Sequence, residues 1–205
     1  MMKIREITPK EKEVINRVVQ IHLDTFKGFF LTFLGRGFLH CLYKSYCEHN
    51  ESSLLVACED EEPVGFLAYS GDYSALYRYM LKRRLLPFAW YSFCAFIRKP
   101  KAFFRLIRAF LKPNDVKRKE RYVELSSIGV KPSMKSKGIG SMLINELKLR
   151  VDFGRYSYIA LETDAENNEA ANYFYTKNGF VLERTYETRE GRKMNEYRYE
   201  KKATV

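Results

Sequence analysis

The sequence predicts a mixed α/β layer architecture on three observations. Apolar spacing switches repeatedly between the two-residue period of strands and the three-to-four-residue period of helices. The last third runs strand, helix, strand, helix, strand, strand, an order that layers helices on a sheet. Between Val130 and Ser141 a strand end, a basic glycine-bearing turn and an amphipathic helix follow one another. The 205 residues, 46% hydrophobic and 30% charged, exclude a disordered or collagen-like chain and can bury a sizeable core. One domain is expected over residues 1–205, with neither internal repeats nor a low-complexity linker.

In chain order, Lys3 to Ile7 reads as a first strand. Thr8-Pro9 is expected to open a helix, because proline fits the first helical position. Val14, Val18, Ile21 and Phe26 carry that helix to Phe26. A second helical stretch is expected from Phe29 to Cys47, with Phe30, Phe33, Leu34, Phe38, Leu42 and Tyr46 spaced by three or four. Ser53 to Cys58 and Val64 to Ser70 read as strands of a hairpin around the acidic turn EDEEP. Beyond a long insert, Arg121 to Val130 reads as a strand and Gly138 to Phe153 as a helix with Leu143, Leu147 and Val151 on one face. Tyr158 to Thr163 is a further strand. Asn168 to Asn178 is a helix that Gly179 is placed to cap. Phe180 to Thr188 and Met194 to Glu200 close the chain as strands.

The net charge of +11 is local. Residues 78–119 hold 13 Lys or Arg and one acid, Asp115, so this stretch carries +12 and the remainder sums to −1. The N-terminus lacks the apolar run of a signal peptide, and no apolar run reaches the roughly 18 to 20 residues of a membrane span. A cytoplasmic protein is expected. Cys41, Cys47, Cys58 and Cys94 show no CxxC, and His22, His40 and His49 show no HxxxH. Free thiols and no metal site are expected. Cys58 and Cys94 lie in apolar runs, which favours buried, unreactive thiols.

The strongest local signal is VKPSMKSKGIGS, Val130 to Ser141. Unpaired N–H groups point out of a helix N-terminus, the helix dipole adds positive potential, and glycines let a ligand approach the backbone. Together they suit a pyrophosphate. The turn matches neither GxxxxGK[ST] nor GxGxxG, and by itself a tight strand-to-helix connection explains it equally well.

A second segment, NNEAANYFYTKNGF from Asn167 to Phe180, follows the next strand. KSKGIGSML after a strand ending SIGV resembles the acetyl-CoA-binding motif of the GNAT superfamily of N-acetyltransferases. The second segment resembles that family's N-x-x-A-x-x-x-Y-x-x-x-G-F motif. The likeness is clear from Glu124 to Phe180 and extends from Lys3 to Ser70, outside the insert. It implies a GNAT-like α+β fold: a twisted mixed sheet flanked by helices, with a helical basic insert between strands 3 and 4. The implied cosubstrate is acetyl-CoA, without a metal, and the implied reaction is acetyl transfer to a primary amine. Lys135 stands where the family turn usually has Arg or Gln, and a lysine lacks the planar fork of arginine.

The resemblance also assigns residues. Lys135, Ser136, Lys137, Gly138, Ile139, Gly140 and Ser141 would hold the phosphates. Ile128, Gly129 and Val130 would offer main-chain groups to the pantetheine amides, as an added strand does. Asn168 would hold the pantetheine arm, or act as an ordinary helix cap. An ammonium with a reference pKa of about 10.4 must lose a proton before it attacks, so a base or a water chain is needed. Glu124, fourteen residues before Gly138, matches a catalytic glutamate of some family members. It reads equally as a strand-edge acid paired with a basic group. Glu162 is the second candidate base. Tyr175, at the motif tyrosine, would protonate the departing sulfur, whereas Tyr173 and Phe174 read as core. Asp24, Phe26, Phe29 and the insert are candidates to line the acceptor pocket.

Family members commonly bridge strands 3 and 4 with a short turn; here residues 71–120 intervene, basic and aromatic. Phe103, Phe104, Ile107, Phe110 and Leu111 share one helical face. Three readings stand: helices packed over the core or a second subunit, with a homodimer left open; an interfacial helix contacting anionic membrane at the inner face; or a lid attracting an acidic substrate. No motif supports specific nucleic-acid recognition. The function expected is acetyl transfer to a small-molecule amine, with a preference for an amino sugar or another acidic or lipid-linked acceptor. The alternative is a non-catalytic acyl-CoA-binding module held at a membrane by the insert.

Overall fold

Strands whose side chains are buried on both faces read as unbroken apolar runs, and SLLVAC and GFLAYS are such runs. They form the centre of the sheet. The computed structural model describes residues 1–98, 100, 120–188 and 191–201. Its seven strands are β1 (Met2–Glu6), β2 (Ser52–Glu59), β3 (Glu62–Ser70), β4 (Tyr122–Val130), β5 (Tyr158–Asp164), β6 (Val181–Glu187) and β7 (Lys193–Tyr199), in spatial order β1-β2-β3-β4-β5-β7-β6. Every neighbouring pair is antiparallel except β4 and β5. Six α-helices accompany them among the described residues: α1 (Lys12–Thr25), α2 (Phe30–Leu34), α3 (Arg36–Glu48), α4 (Tyr73–Arg98), α5 (Ile139–Arg150) and α6 (Glu169–Lys177). This is the mixed α/β sheet the sequence predicts.

Alternation along β2 and β3 splits the core into two layers. Leu54, Val56, Phe66 and Ala68 pack with Ile15, Val18, Leu39, Tyr43 and Leu76 from α1, α3 and α4. Leu55, Leu67, Val123 and Leu125 face Leu143, Leu147 and Tyr175 of α5 and α6 on the other side. Full burial of one such Leu or Phe contributes roughly 1.5–3 kcal/mol. The hairpin turn falls at Asp60 and Glu61, both in left-handed backbone at φ 48° and 68°.

Three elements depart from the sequence expectation. Thr8-Pro9 does not open α1. It forms a turn in which the Thr8 N–H donates to the Glu11 carboxylate at 2.8 Å, and the helix begins at Lys12. The stretch Phe29–Cys47 is two helices, because Gly35 at φ 89° breaks it. The helix after the glycine turn stops at Arg150. Val151 there is extended, and Asp152 accepts the Gly154 N–H at 2.9 Å to close a turn. Gly179 ends α6 at φ 78° as expected.

Residues 73–98 of the insert are helical, with non-helical backbone at Arg84 and a proline at Pro87. Proline lacks the N–H and crowds the carbonyl four residues back, which explains a kink at this place. The Arg84 guanidinium and the Tyr79 hydroxyl both reach the Glu48 carboxylate of α3, fixing the kink against the body. The expected apolar face from Phe103 to Leu111 lies outside the described residues.

Candidate active site

β4 carries the local irregularity that builds the site. It pairs with β3 along its length, but Ala68 faces Ser127 while Tyr69 faces Leu125, so Ser126 is an extra, bulged residue. A bulge bends its strand and sharpens the twist. On the other side β4 pairs with β5 only at Tyr122–Tyr158, Val123–Ile159 and Glu124–Ala160. From Leu125 to Val130 the edge facing β5 has no ladder. Ile128, Gly129 and Val130, the expected main-chain binders, lie on that edge. A Cβ on Gly129 would meet Phe66 at 2.7 Å, so glycine here allows the close packing under the strand.

Beyond Val130, Pro132–Met134 makes one 3-10 turn, and the chain enters α5 through Gly138 at φ 79°. Among the described residues, no protein acceptor meets the backbone N–H groups of Ser136, Lys137, Gly138, Ile139, Gly140 and Ser141. Ser136 has φ 65°, which turns its amide into the same bend. A Cβ on Gly138 would meet nothing within 4 Å, whereas one on Gly140 would press on Phe174 at 3.0 Å. The first glycine therefore faces open space, and the second lets α5 close on α6. Lys135 is exposed beside this concavity; the exposed Lys137 ammonium turns to Met134 Sδ at 3.4 Å. Consecutive unpartnered amides, open space and adjacent cations fit a diphosphate.

Glu124 is half-buried and faces the α1–α3–α4 side of β4, since Val123 and Leu125 face the other. Its charge opposes ionisation of Tyr46 and Tyr73, whose phenols burial already holds well above the ordinary value. Tyr175 is buried on the opposite side, in the cluster that Ile128 and Val130 join. Its ring meets Phe174, Phe180 and Tyr197 at centroid distances of 5.3, 6.1 and 6.0 Å. Burial pushes its phenol up to about 12, so it keeps its proton at neutral pH. The two candidates thus lie on opposite faces of the sheet, Glu124 at the last laddered position before the gap. Glu162 is exposed and accepts the Tyr186 hydroxyl at 2.8 Å, away from the Glu124 layer's cavity. The Asn168 amide donates to Thr163 Oγ1 at 2.7 Å and to the Asp164 carbonyl at 3.2 Å, tying α6 to β5.

A cavity of about 210 Å³ adjoins the bulge. Leu34, Phe38 and Phe88 line it, as do Tyr43, Tyr46 and Tyr73, with Ser126 and Ser127 at its β4 end. None of Asp24, Phe26 and Phe29 is in its wall. Asp24 instead accepts from the Gln20 amide at 2.8 Å, and Phe26 stacks near His22 at 4.7 Å. Sequence reasoning missed the bulge and the site role of the tyrosines. The doubled serine in VELSSIGV, which interrupts strand alternation, was the available signal. A second cavity, about 270 Å³, lies near the start of β4; there Glu51 already meets Arg155, Arg121 and Tyr156. Cys58 is buried but Cys94 is only half-buried, which corrects the expectation for the latter. No group of three potential metal ligands occurs among the described residues.

An open strand edge lies beside a helix start whose amides fit a diphosphate. The profile of the Acetyltransferase (GNAT) family matches residues 15–180. The chain belongs to that family. No curated protein is similar in sequence. Among solved structures, an N-acetyltransferase from Staphylococcus aureus Mu50 superposes with TM-score 0.61 at 17% identity, covering 98% of both chains. Arabidopsis thaliana NAA60 in complex with acetyl-CoA gives 0.58 at 18% identity, covering 98% of both chains. The Escherichia coli ribosomal-protein-S18-alanine N-acetyltransferase gives 0.58 at 12% identity, covering 98% of this chain and 94% of that one. At these identities the likeness speaks for the fold.

Proposed function

We propose that this protein transfers the acetyl group of acetyl-CoA to a primary amine by direct attack, with Glu124 as general base and Tyr175 as general acid. The observation that carries the reading is the conjunction of the unladdered β4 edge from Leu125 to Val130, where the Val130 carbonyl accepts the Thr25 hydroxyl at 3.1 Å, with six unpartnered amides at the start of α5. The edge would bind an extended amide-bearing arm as a neighbouring strand would, and the amides would take its diphosphate. Glu124 would accept the amine proton as the C–N bond forms. Tyr175, a phenol protonated at neutral pH, would give its proton to the sulfur as the C–S bond breaks. Asn168 supports the β5–α6 turn in this scheme. Acetylated product detected by mass spectrometry, dependent on acetyl-CoA, tests the reading against a panel of amino sugars, polyamines, peptide N-termini and aminoglycosides. Coenzyme binding with no transfer to any of them would favour the non-catalytic acyl-CoA-binding module instead. The acceptor class drawn from charge, an amino sugar or another acidic or lipid-linked amine, rests on the basic residues around α4.

A second reading concerns location. α4 leaves Leu86, Trp90, Phe93 and Ile97 exposed at 81%, 62%, 52% and 63%, spaced by four, three and four residues. Such a stripe at helical spacing, with Lys82, Arg83 and Arg98 nearby in sequence, supports a peripheral contact with anionic lipid at the inner face of a membrane. No described helix is long and apolar enough to cross one. Co-sedimentation with phosphatidylserine vesicles at low salt, lost in Trp90→Glu, is the expected result. Equal sedimentation of the variant would remove this reading.

A further inference from the structure

The cavity beside the β4 bulge has a polarity gradient that the proposed reaction does not by itself require. Its β4 end carries hydroxyls: Tyr43 Oη is 3.4 Å from Ser127 Oγ, the Tyr46 and Tyr73 phenols line the same cavity, and Glu124 lies two residues before Ser126 on β4. The rest of the wall is mostly hydrocarbon, with Leu31, Leu34, Phe38, Leu42, Met80 and Phe88, interrupted by Tyr77 and Ser92 of α4. None of its lining side chains carries a formal charge. A sugar placed here would bury hydroxyls against carbon, and each buried hydroxyl without a partner costs about 1–3 kcal/mol. A polyamine would bury a second ammonium with no carboxylate to meet it. Aromatic walls favour a ring, through offset or edge-to-face contact. The volume of about 210 Å³ exceeds the roughly 150 Å³ that accommodates benzene in a dry apolar cavity.

We infer that this cavity holds the body of the acceptor, and that the acceptor is a primary amine on an aromatic ring-bearing chain, its nitrogen at the Ser126–Ser127 end near Glu124. The inference rests on the acetyl-transfer reading and narrows its acceptor from the classes that charge alone suggested. The ring lies among Phe38, Phe88 and the tyrosines. The amine stays at the polar end; Glu124, two residues before Ser126 on β4 and outside the cavity's wall, takes its proton.

The test compares 2-phenylethylamine, glucosamine and spermidine as acceptors of the wild-type protein, and of Ser92→Phe and Leu81→Trp. Ser92 and Leu81 line the cavity from α4 and belong to neither the base, the acid nor the phosphate turn. The expected result is a kcat/KM for 2-phenylethylamine at least tenfold above the other two. Either variant that keeps the wild-type melting temperature should raise its KM at least tenfold, with the KM for acetyl-CoA unchanged. Acetylation of glucosamine or spermidine at equal or better efficiency overturns the inference and leaves acetyl transfer standing. Should none of the three amines be acetylated, titration with 2-phenylethylamine followed by tyrosine fluorescence decides the cavity separately. Saturable binding weakened in the variants supports it; no binding overturns it.

Discussion

His22 Nδ1 lies 2.6 Å from the hydroxyl of Tyr43, and both side chains are buried, so the pair locks α1 to α3 behind the candidate acceptor cavity. The other ring nitrogen, Nε2, has no partner among the described residues. A buried N–H without an acceptor costs more than an unused lone pair, which puts the proton on Nδ1. Nδ1–H then donates to Tyr43, and the Tyr43 hydroxyl is left to donate to Ser127 at the β4 bulge.

Burial lowers the His22 pKa from 6.5 to about 4. Below pH 6.5 the unfolded chain takes up a proton that the folded chain refuses, so stability is full above 6.5 and falls as the pH drops towards 4. By pH 5 the loss from this residue is about 2 kcal/mol, a fall of roughly 4–8 °C in Tm. His40, also lowered by burial and by Lys44, Arg84 and Lys12, adds in the same direction. The carboxylates Glu11 and Glu48 are held below their ordinary range and contribute only at more acid pH. Melting curves at pH 7 and pH 5 should therefore differ less in His22→Gln than in the wild type. An identical drop in both would refute the buried neutral histidine.

Tyr175→Phe removes one hydroxyl from a ring that Phe174, Phe180 and Tyr197 hold in place, with Tyr199 behind Phe180. The packing survives, so Tm should change by less than about 2 °C. If the phenol supplies the proton to sulfur, kcat falls about 100-fold with the KM for acetyl-CoA unchanged. An unaltered kcat would remove Tyr175 from the chemistry and leave it as core.

Glu124→Gln separates the two carboxylates. With the base gone, the rate depends on the amine losing its own proton, so kcat/KM should fall about 100-fold at pH 7 and climb tenfold per pH unit towards the amine pKa. Glu162→Gln should leave both the rate and its pH profile near wild type, because Glu162 is exposed and bonded to Tyr186. The reverse pattern in the two pH profiles would transfer the role to Glu162.

The strand and helix sequence was legible because both core layers repeat cleanly, as in Leu54 to Cys58 and Leu143 to Leu147. Apart from Thr8-Pro9, where the Glu11 carboxylate holds a turn instead of a helix start, its misreadings share one cause. Apolar spacing continues past the point where backbone conformation stops a helix, at Gly35 and again after Arg150, where Val151 still continues the four-residue spacing of Leu143 and Leu147. The glycine-bearing turn between β4 and α5 was legible because its main-chain geometry, with Gly138 at φ 79°, needs glycine. The acceptor cavity was not. Its tyrosines come from α3 and α4, separated by the hairpin, and nothing short-range links Tyr46 to Tyr73 or either to Ser126. The Ser126 bulge is set by pairing with Tyr69 and Ala68 across the sheet, a relation that spacing along one strand does not contain.

The two glycines of the proposed phosphate turn act by different means. Gly138→Ala places a methyl in open space, so it meets no protein atom, but it forces an L-residue to φ 79° at a cost of about 1 kcal/mol. Tm should fall by roughly 2–4 °C. The methyl projects where the free amides face, so affinity for coenzyme A should drop at least tenfold by isothermal titration. Gly140→Val instead drives a larger side chain towards Phe174, which even a bare Cβ would approach to 3.0 Å, and separates α5 from α6. That change should lower Tm further than the first, because overpacking costs about 1–3 kcal/mol and outweighs the few tenths of a kcal/mol (about 0.3) that valine gains over glycine in helix propensity. If Gly138→Ala binds coenzyme A as tightly as wild type while Tm falls as described, the diphosphate does not sit against these amides. The bend would then be a tight connection between strand and helix, and nothing more.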